Sequence, residues 1–377
     1  MKFAAARKSI PFFVIVLIPL LITLFSAEIY LRLFSKYGRI TPETMRDQSL
    51  EFVSSVFAKY VLSAKEKHVR GLNQVEFDIN PKGYRGHDFS WAKPAGKIRI
   101  AFYGGSSVFD IAAAKDKDWP HRVESLLHQK GFPNVEVINA AVPGHAAFDA
   151  LGSFFAEGHL FEPDYVVLYT SWNDIKFFAL KEPLLRRLQP HVENQDPLLN
   201  YQGPLDQWLS EHSQLYVRLR YRFLMWRYRV GPEGQIPWGK RTTKMNEWGL
   251  KQFRLTVETF VDLVRNAGAT PVLMTEARLC APNNTEEEKK RIRYEYQLLT
   301  HNELLEAYEK ADQILAQVAE AKKVPLIDAS RWMTGKDEFF VDEVHLTKKG
   351  SETLAEMTAE AFIPWFNRRE IRHDGRT

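Results

Sequence analysis

Tyr165-Val166-Val167-Leu168-Tyr169 is a nearly all-apolar run, followed directly by Thr170-Ser171-Trp172-Asn173-Asp174. A strand this apolar has no face to give to water, so it belongs inside a parallel sheet covered by helices on both sides. The sequence around it repeats the arrangement. Lys97–Tyr103 (KIRIAFY), Val135–Ile138 (VEVI), Thr270–Met274 (TPVLM) and Val324–Ile327 (VPLI) also read as strands. Helical patterns lie between and after them. Pro120–Gln129 has Pro120 at an early helical position and Asp118 near its start, and Ala146–Ala156 follows the second strand. Trp248–Asn266 is amphipathic and closed by Gly268, Leu299–Lys322 is long, and Thr347–Phe366 begins with a cap.

This alternation predicts an α/β fold. The expected architecture is a doubly wound parallel five-stranded sheet, a flavodoxin-like three-layer sandwich, over residues 96–368. In such sheets, sites form at the carboxyl ends of the strands. The stretch from Phe177 to Asn246 breaks the rhythm and is too long for a simple connection, so residues 177–246 read as an insert. Within it, YVRLRYRFLMWRYR mixes aromatics with Arg218, Arg220, Arg222, Arg227 and Arg229. That pattern suits either contact with an anionic lipid or polymer surface or a helical lid with solvated arginines.

The 377 residues are 45% hydrophobic and 26% charged, a globular composition. A net charge of +4 with no compact basic run gives no case for nucleic acid. The single cysteine, Cys280, excludes an intramolecular disulfide and reads as a core or loop thiol. Ile10–Ala27 (IPFFVIVLIPLLITLFSA) is long enough to cross a bilayer, about 27 Å as a helix. Lys2, Arg7 and Lys8 before it hold the N-terminus in the cytoplasm and send the rest outward. A cleaved signal peptide and a buried soluble helix are the competing readings, and Phe25 fits a cleavage site poorly. The expected organisation is a cytoplasmic tail at 1–9, a transmembrane helix at 10–27, a neck at 28–95, the catalytic domain at 96–368 and a polar tail at 369–377. Glu28–Tyr60 in the neck shows loose helical spacing, and Asn80–Gly86 is turn chemistry.

Four short pieces carry the chemistry. Gly104-Gly105-Ser106-Ser107 follows the first strand, where glycines permit a sharp turn that presents a hydroxyl and a backbone N–H. Asn139–Gly144 follows the second strand, and Gly144 can aim its N–H into a site without a side chain in the way. Ser171–Asp174 follows the third, and the Asn173 amide can donate to a developing oxyanion. Asp342-Glu343-Val344-His345 precedes the last helix, and an Asp three residues before a His can orient its imidazole. Singly, each piece has a plain alternative: a phosphate-binding or ordinary turn, a Pro-Gly turn, a helix cap, a solvated histidine. Jointly, at one predicted sheet edge, they supply a nucleophile, oxyanion donors, a base and its orienting carboxylate.

On these motifs residues 97–366 resemble the SGNH (GDSL-type) hydrolase family, and Asn80–Gly86 resembles its membrane-anchored bacterial members. The resemblance implies Ser106 as nucleophile, His345 as base and Asp342 as its orienter. It also implies an oxyanion hole made by the N–H groups of Ser106 and Gly144 with the Asn173 side chain. Two positions depart from the family pattern: Gly105 stands where Asp is usual, and Ser171 where Gly is usual. The expected activity is hydrolysis of O-acetyl or short acyl esters on a glycan or lipid through an acyl-enzyme, with no cofactor and no metal. An acyltransferase using the same residues on an envelope polysaccharide and a non-catalytic glycan-binding module are the alternatives. Phe177, Phe178, Trp208 and Trp226 read as core packing or as a substrate groove.

Overall fold

The computed structural model describes residues 12–34, 42, 49–70, 75–179, 201–228 and 244–374. Two compact units emerge, residues 1–48 with 194–234 and residues 49–193 with 235–377.

The larger unit begins with two antiparallel hairpins. β1 (Phe52–Ser54) pairs with β2 (Tyr60–Leu62), and β3 (Lys67–Arg70) pairs with β4 (Glu76–Ile79). Of the loosely helical reading of Glu28–Tyr60, Glu28–Phe34 is helical, but its far end forms β1 and the start of β2 instead. Phe52, Val53, Tyr60 and Val61 are aromatic or β-branched, and such residues gain most from cross-strand contact. The Phe52 and Tyr60 rings meet edge-on at 4.8 Å, a contact that spacing along one helix does not reveal. The turn expected at Asn80–Gly86 forms, with Asn80 Oδ1 accepting from the N–H groups of Lys82 and Tyr84, both at 3.0 Å. It delivers Arg85 into the interior. There Arg85 donates to the carbonyls of Asp110 (3.1 Å) and Ala113 (2.6 Å) and pairs with Asp118 at 3.3 Å.

Five parallel strands follow: β5 (Ile98–Gly104), β6 (Val135–Asn139), β7 (Tyr165–Tyr169), β8 (Thr270–Met274) and β9 (Leu326–Ile327). Their order is β6-β5-β7-β8-β9. This is the doubly wound five-stranded sheet read from the sequence. Every residue of β7 is buried, as its composition requires. Crossovers between parallel strands are right-handed. The step from β5 to β6 therefore puts helix Trp119–Gln129 on one face, where Lys348–Asp374 joins it. The steps onward run the other way across the sheet. They put Ala147–Ala156, Glu247–Asn266 and His301–Lys322 on the opposite face, where the second packs against the other two. The reversal occurs between β5 and β7, the position at which sheets of this kind place their sites, at the carboxyl ends of the strands. Gly268 ends Glu247–Asn266 at φ +84°, a conformation that costs a glycine little.

The smaller unit holds helices Phe12–Phe34, Pro204–His212 and Gln214–Tyr228. The first contains a stretch, Val16–Phe34, long and apolar enough to cross a membrane, and Ile22, Phe25 and Leu33 on it are exposed. Residues 1–11 of the expected tail and span lie outside the described residues. Glu28 receives hydrogen bonds from the Ser213 hydroxyl (2.9 Å) and from the N–H groups of Gln214 (2.9 Å) and Leu215 (2.8 Å). A carboxylate so placed meets the free donors and the positive dipole end of Gln214–Tyr228. Of the basic residues singled out in that helix, Arg220 is buried and paired with Asp206 at 2.7 Å, so its charge is used internally. Arg222 is exposed. Arg229 and the side chain of Arg227 lie outside the described residues.

Candidate active site

Ser106 opens a single helical turn, Ser106–Phe109, directly beyond β5. As its first residue, Ser106 has a backbone N–H with no partner inside the turn. The two preceding glycines have a specific steric basis. A Cβ on Gly104 would collide with the carbonyl oxygen of Tyr169, and one on Gly105 would collide with Asn173 Nδ2. The ends of β5 and β7 can approach this closely only because both side chains are absent. The same fact shows that the Asn173 amide nitrogen lies against the backbone next to Ser106.

His345 reaches this point from a loop 239 residues further along the chain. Its Nε2 lies 2.7 Å from Ser106 Oγ, and its Nδ1 lies 2.7 Å from Asp342 Oδ2. The other Asp342 oxygen accepts from the N–H groups of Val344 (3.2 Å) and His345 (3.0 Å). The three-residue spacing therefore closes a small ring in which the carboxylate holds both the backbone and the imidazole of its partner. Burial works against charge on His345, but the hydrogen bond and negative charge of Asp342 prevail and raise the imidazole above its usual value. Burial likewise works against charge on Asp342, yet its bonds to His345 bring it down to about 2. Ser106 is half-buried, while His345 is 7% exposed. Asp342 is half-buried as well, so both ends of the series are more exposed than the imidazole between them.

Ser107, the neighbouring hydroxyl, points elsewhere: it is buried and donates to Glu276 at 2.5 Å. Asn173 Nδ2 donates one hydrogen to the carbonyl of His145 at 2.9 Å, and its Oδ1 accepts from Tyr296 Oη at 2.9 Å. The second amide hydrogen remains for another acceptor. Gly144 stands at φ +85°, and a Cβ there would collide with Tyr60 Oη, which donates to the Pro143 carbonyl at 2.8 Å. The structure thus brings Ser106, Asp342 and His345 into one hydrogen-bonded series, with Asn173 against the serine turn. Ser171, in place of the usual glycine, donates its hydroxyl to Glu276 at 2.9 Å.

Other sequence candidates fall outside this cluster. Phe178 is fully buried and packs on Phe253 at 5.6 Å, and Phe177 is half-buried. Trp208 is exposed in the smaller unit, and the Trp226 side chain is outside the described residues. Cys280 is buried, which pushes its thiol up to about 12, so it stays protonated. Tyr296, His145 and Glu276 escaped the sequence reading. Tyr296 lies 123 residues from the amide it holds, and no local pattern marks such a partner.

A parallel α/β sheet that sets serine, histidine and aspartate in series at its switch point defines a serine-hydrolase class of protein. The sequence pattern of the GDSL-like Lipase/Acylhydrolase family matches residues 102–353. The chain belongs to that family and is a hydrolase of ester bonds. Among solved structures it is similar to the acetyl xylan esterase AlAXEase, with 14% identity, a TM-score of 0.42, and coverage of 71% of this chain and 100% of that one. It is also similar to the lipase/acylhydrolase from Enterococcus faecalis, with 16% identity, a TM-score of 0.42, and coverage of 70% and 95%. TesA gives 13% identity, a TM-score of 0.42, and coverage of 71% and 98%. No curated protein matches the sequence.

Proposed function

We propose that this chain is a membrane-anchored serine esterase that removes O-acetyl or other short acyl groups from a glycan or lipid through an acyl-enzyme. The observation that carries the reading is the Ser106 Oγ to His345 Nε2 distance of 2.7 Å, with Asp342 at 2.7 Å on the far side of the ring. With its Nδ1–H given to Asp342, the imidazole keeps Nε2 as an acceptor. His345 takes the Ser106 proton as Oγ bonds to the ester carbon, and the carbonyl oxygen becomes an oxyanion. The N–H groups of Ser106 and Gly144 and the free Asn173 amide hydrogen receive that charge. The tetrahedral centre then collapses, the ester C–O bond breaks, and His345 returns the proton to the departing alcohol. Water repeats the sequence on the acyl-enzyme and frees the acid.

The apolar helix supports an anchor at residues 10–27, with the tail at 1–9 in the cytoplasm and the catalytic domain at 96–368 outside. Arg222, exposed on a helix whose start is capped by Glu28, is the residue offered to anionic headgroups. A panel of p-nitrophenyl esters from acetyl to palmitoyl, run beside acetylated polysaccharides, tests the activity. The expected result is turnover of the short esters that vanishes in Ser106→Ala, with fluorophosphonate labelling of Ser106 in the parent protein. Full turnover by Ser106→Ala would sink the reading.

A further inference from the structure

β5, β7 and β8 are neighbours in the sheet, and one carboxylate ties their carboxyl ends together. Glu276 stands two residues beyond β8 and is 2% exposed. Its Oε1 accepts from the Ser107 hydroxyl at 2.5 Å. Its Oε2 accepts from the Ser171 hydroxyl at 2.9 Å and from the Trp172 backbone N–H at 2.6 Å. Ser107 adjoins Ser106, and Trp172 adjoins Asn173. Ser106 opens the helical turn beyond β5 and Asn173 lies in the helical turn beyond β7, so their relative placement depends on what locks those two turns together. Glu276 locks them from beyond a third strand. A buried carboxylate is costly unless it is hydrogen-bonded, and here its donors come from the two turns whose spacing the reaction needs held.

We infer that Glu276 is a positioning residue: it fixes the serine turn against the Asn173 turn so that hydroxyl and amide meet the same carbonyl. This rests on Ser106 being the nucleophile. Ser171 then contributes a second donor to the tie where a glycine would offer none. The role is distinct from holding the protein folded, because it acts on turnover per active serine rather than on the number of active molecules.

The test measures p-nitrophenyl acetate kinetics in the full chain, normalised to serines titrated to completion with a fluorophosphonate. The parent protein must label and turn over, and Ser106→Ala must do neither; otherwise the proposed function fails before Glu276 is examined. Given that, Glu276→Ala should lose about 10²-fold in kcat per titrated site, with KM within about twofold. Glu276→Gln should recover most of the loss, because its amide oxygen can still accept from Ser171 and the Trp172 N–H. If Glu276→Ala does not fold by circular dichroism, Ser107→Ala and Ser171→Gly replace it, each expected to lower kcat by about fivefold or more at unchanged KM. Unchanged kcat per titrated site in folded Glu276→Ala, or in both serine variants, would overturn the inference. So would failure of Glu276→Gln to exceed Glu276→Ala.

Discussion

At the scale of single residues, the chemistry depends on which of two states His345 holds. A base must be neutral, yet Asp342 favours the protonated ring and raises its titration above the ordinary imidazole value. The acid limb of kcat/KM should therefore have its midpoint above about 6.5, with activity rising as pH rises through it. Asp342→Asn removes the charge that favours the imidazolium. It should shift that midpoint downward and lower kcat by roughly 10²–10⁴, read from a pH–rate profile on p-nitrophenyl acetate. An unshifted midpoint in that variant would disconnect Asp342 from the titrating group. Three motif pieces were legible because each follows a strand end, and the fourth because Asp342 and His345 stand three residues apart before the last helix. Glu276 and Tyr296 were not legible. Glu276 reads as an ordinary loop carboxylate, and its nearest tie across the site is 104 residues away in sequence.

At the scale of elements, the site is assembled by turns that tolerate no added carbon. Gly144 combines φ +85° with the Tyr60 hydroxyl occupying the space a Cβ would take. Gly144→Ala should cost about 1–2 kcal/mol in stability for the left-handed backbone and should lower kcat by about tenfold or more as the N–H turns away. Denaturant unfolding and turnover would be read together, and Tyr60→Phe in the same chain should restore part of the stability by opening room. The five strands and the helices between them follow the sequence reading, but the last helix runs on to Asp374 rather than ending at Phe366, and short helices such as Pro204–His212 and Ala329–Met333 were not read. β7 needed no partner to be recognised, because five consecutive buried residues leave only one environment for it. The hairpins β1–β2 and β3–β4 were missed for the opposite reason. Their strands are three or four residues long and depend on partners across the turn, so neither period is expressed for long enough to be read.

For the molecule as a whole, buried carboxyls set the response to pH. Burial raises Asp174 to about 7 against the donors Thr170 and the Ala147 N–H. Burial also raises Asp110 to about 6. Both folded values exceed the unfolded one near 3.8, so the folded chain binds the extra protons. Their contribution is complete below about pH 3.8 and is lost as pH rises through 6 to 7. Melting should come several degrees lower at pH 8 than at pH 5, and Asp174→Asn should flatten the difference. A steeper slope in that variant would exclude Asp174 as its source. Removal of residues 1–34 should release the protein from vesicle pellets in a sedimentation assay. Retention at parent levels would place the membrane attachment elsewhere. Finally, the chain's one thiol, Cys280, is enclosed and stays protonated at neutral pH. A cysteine placed on the surface would therefore be the sole target of a maleimide dye, and distances within the native enzyme can be mapped without first deleting any residue of its own.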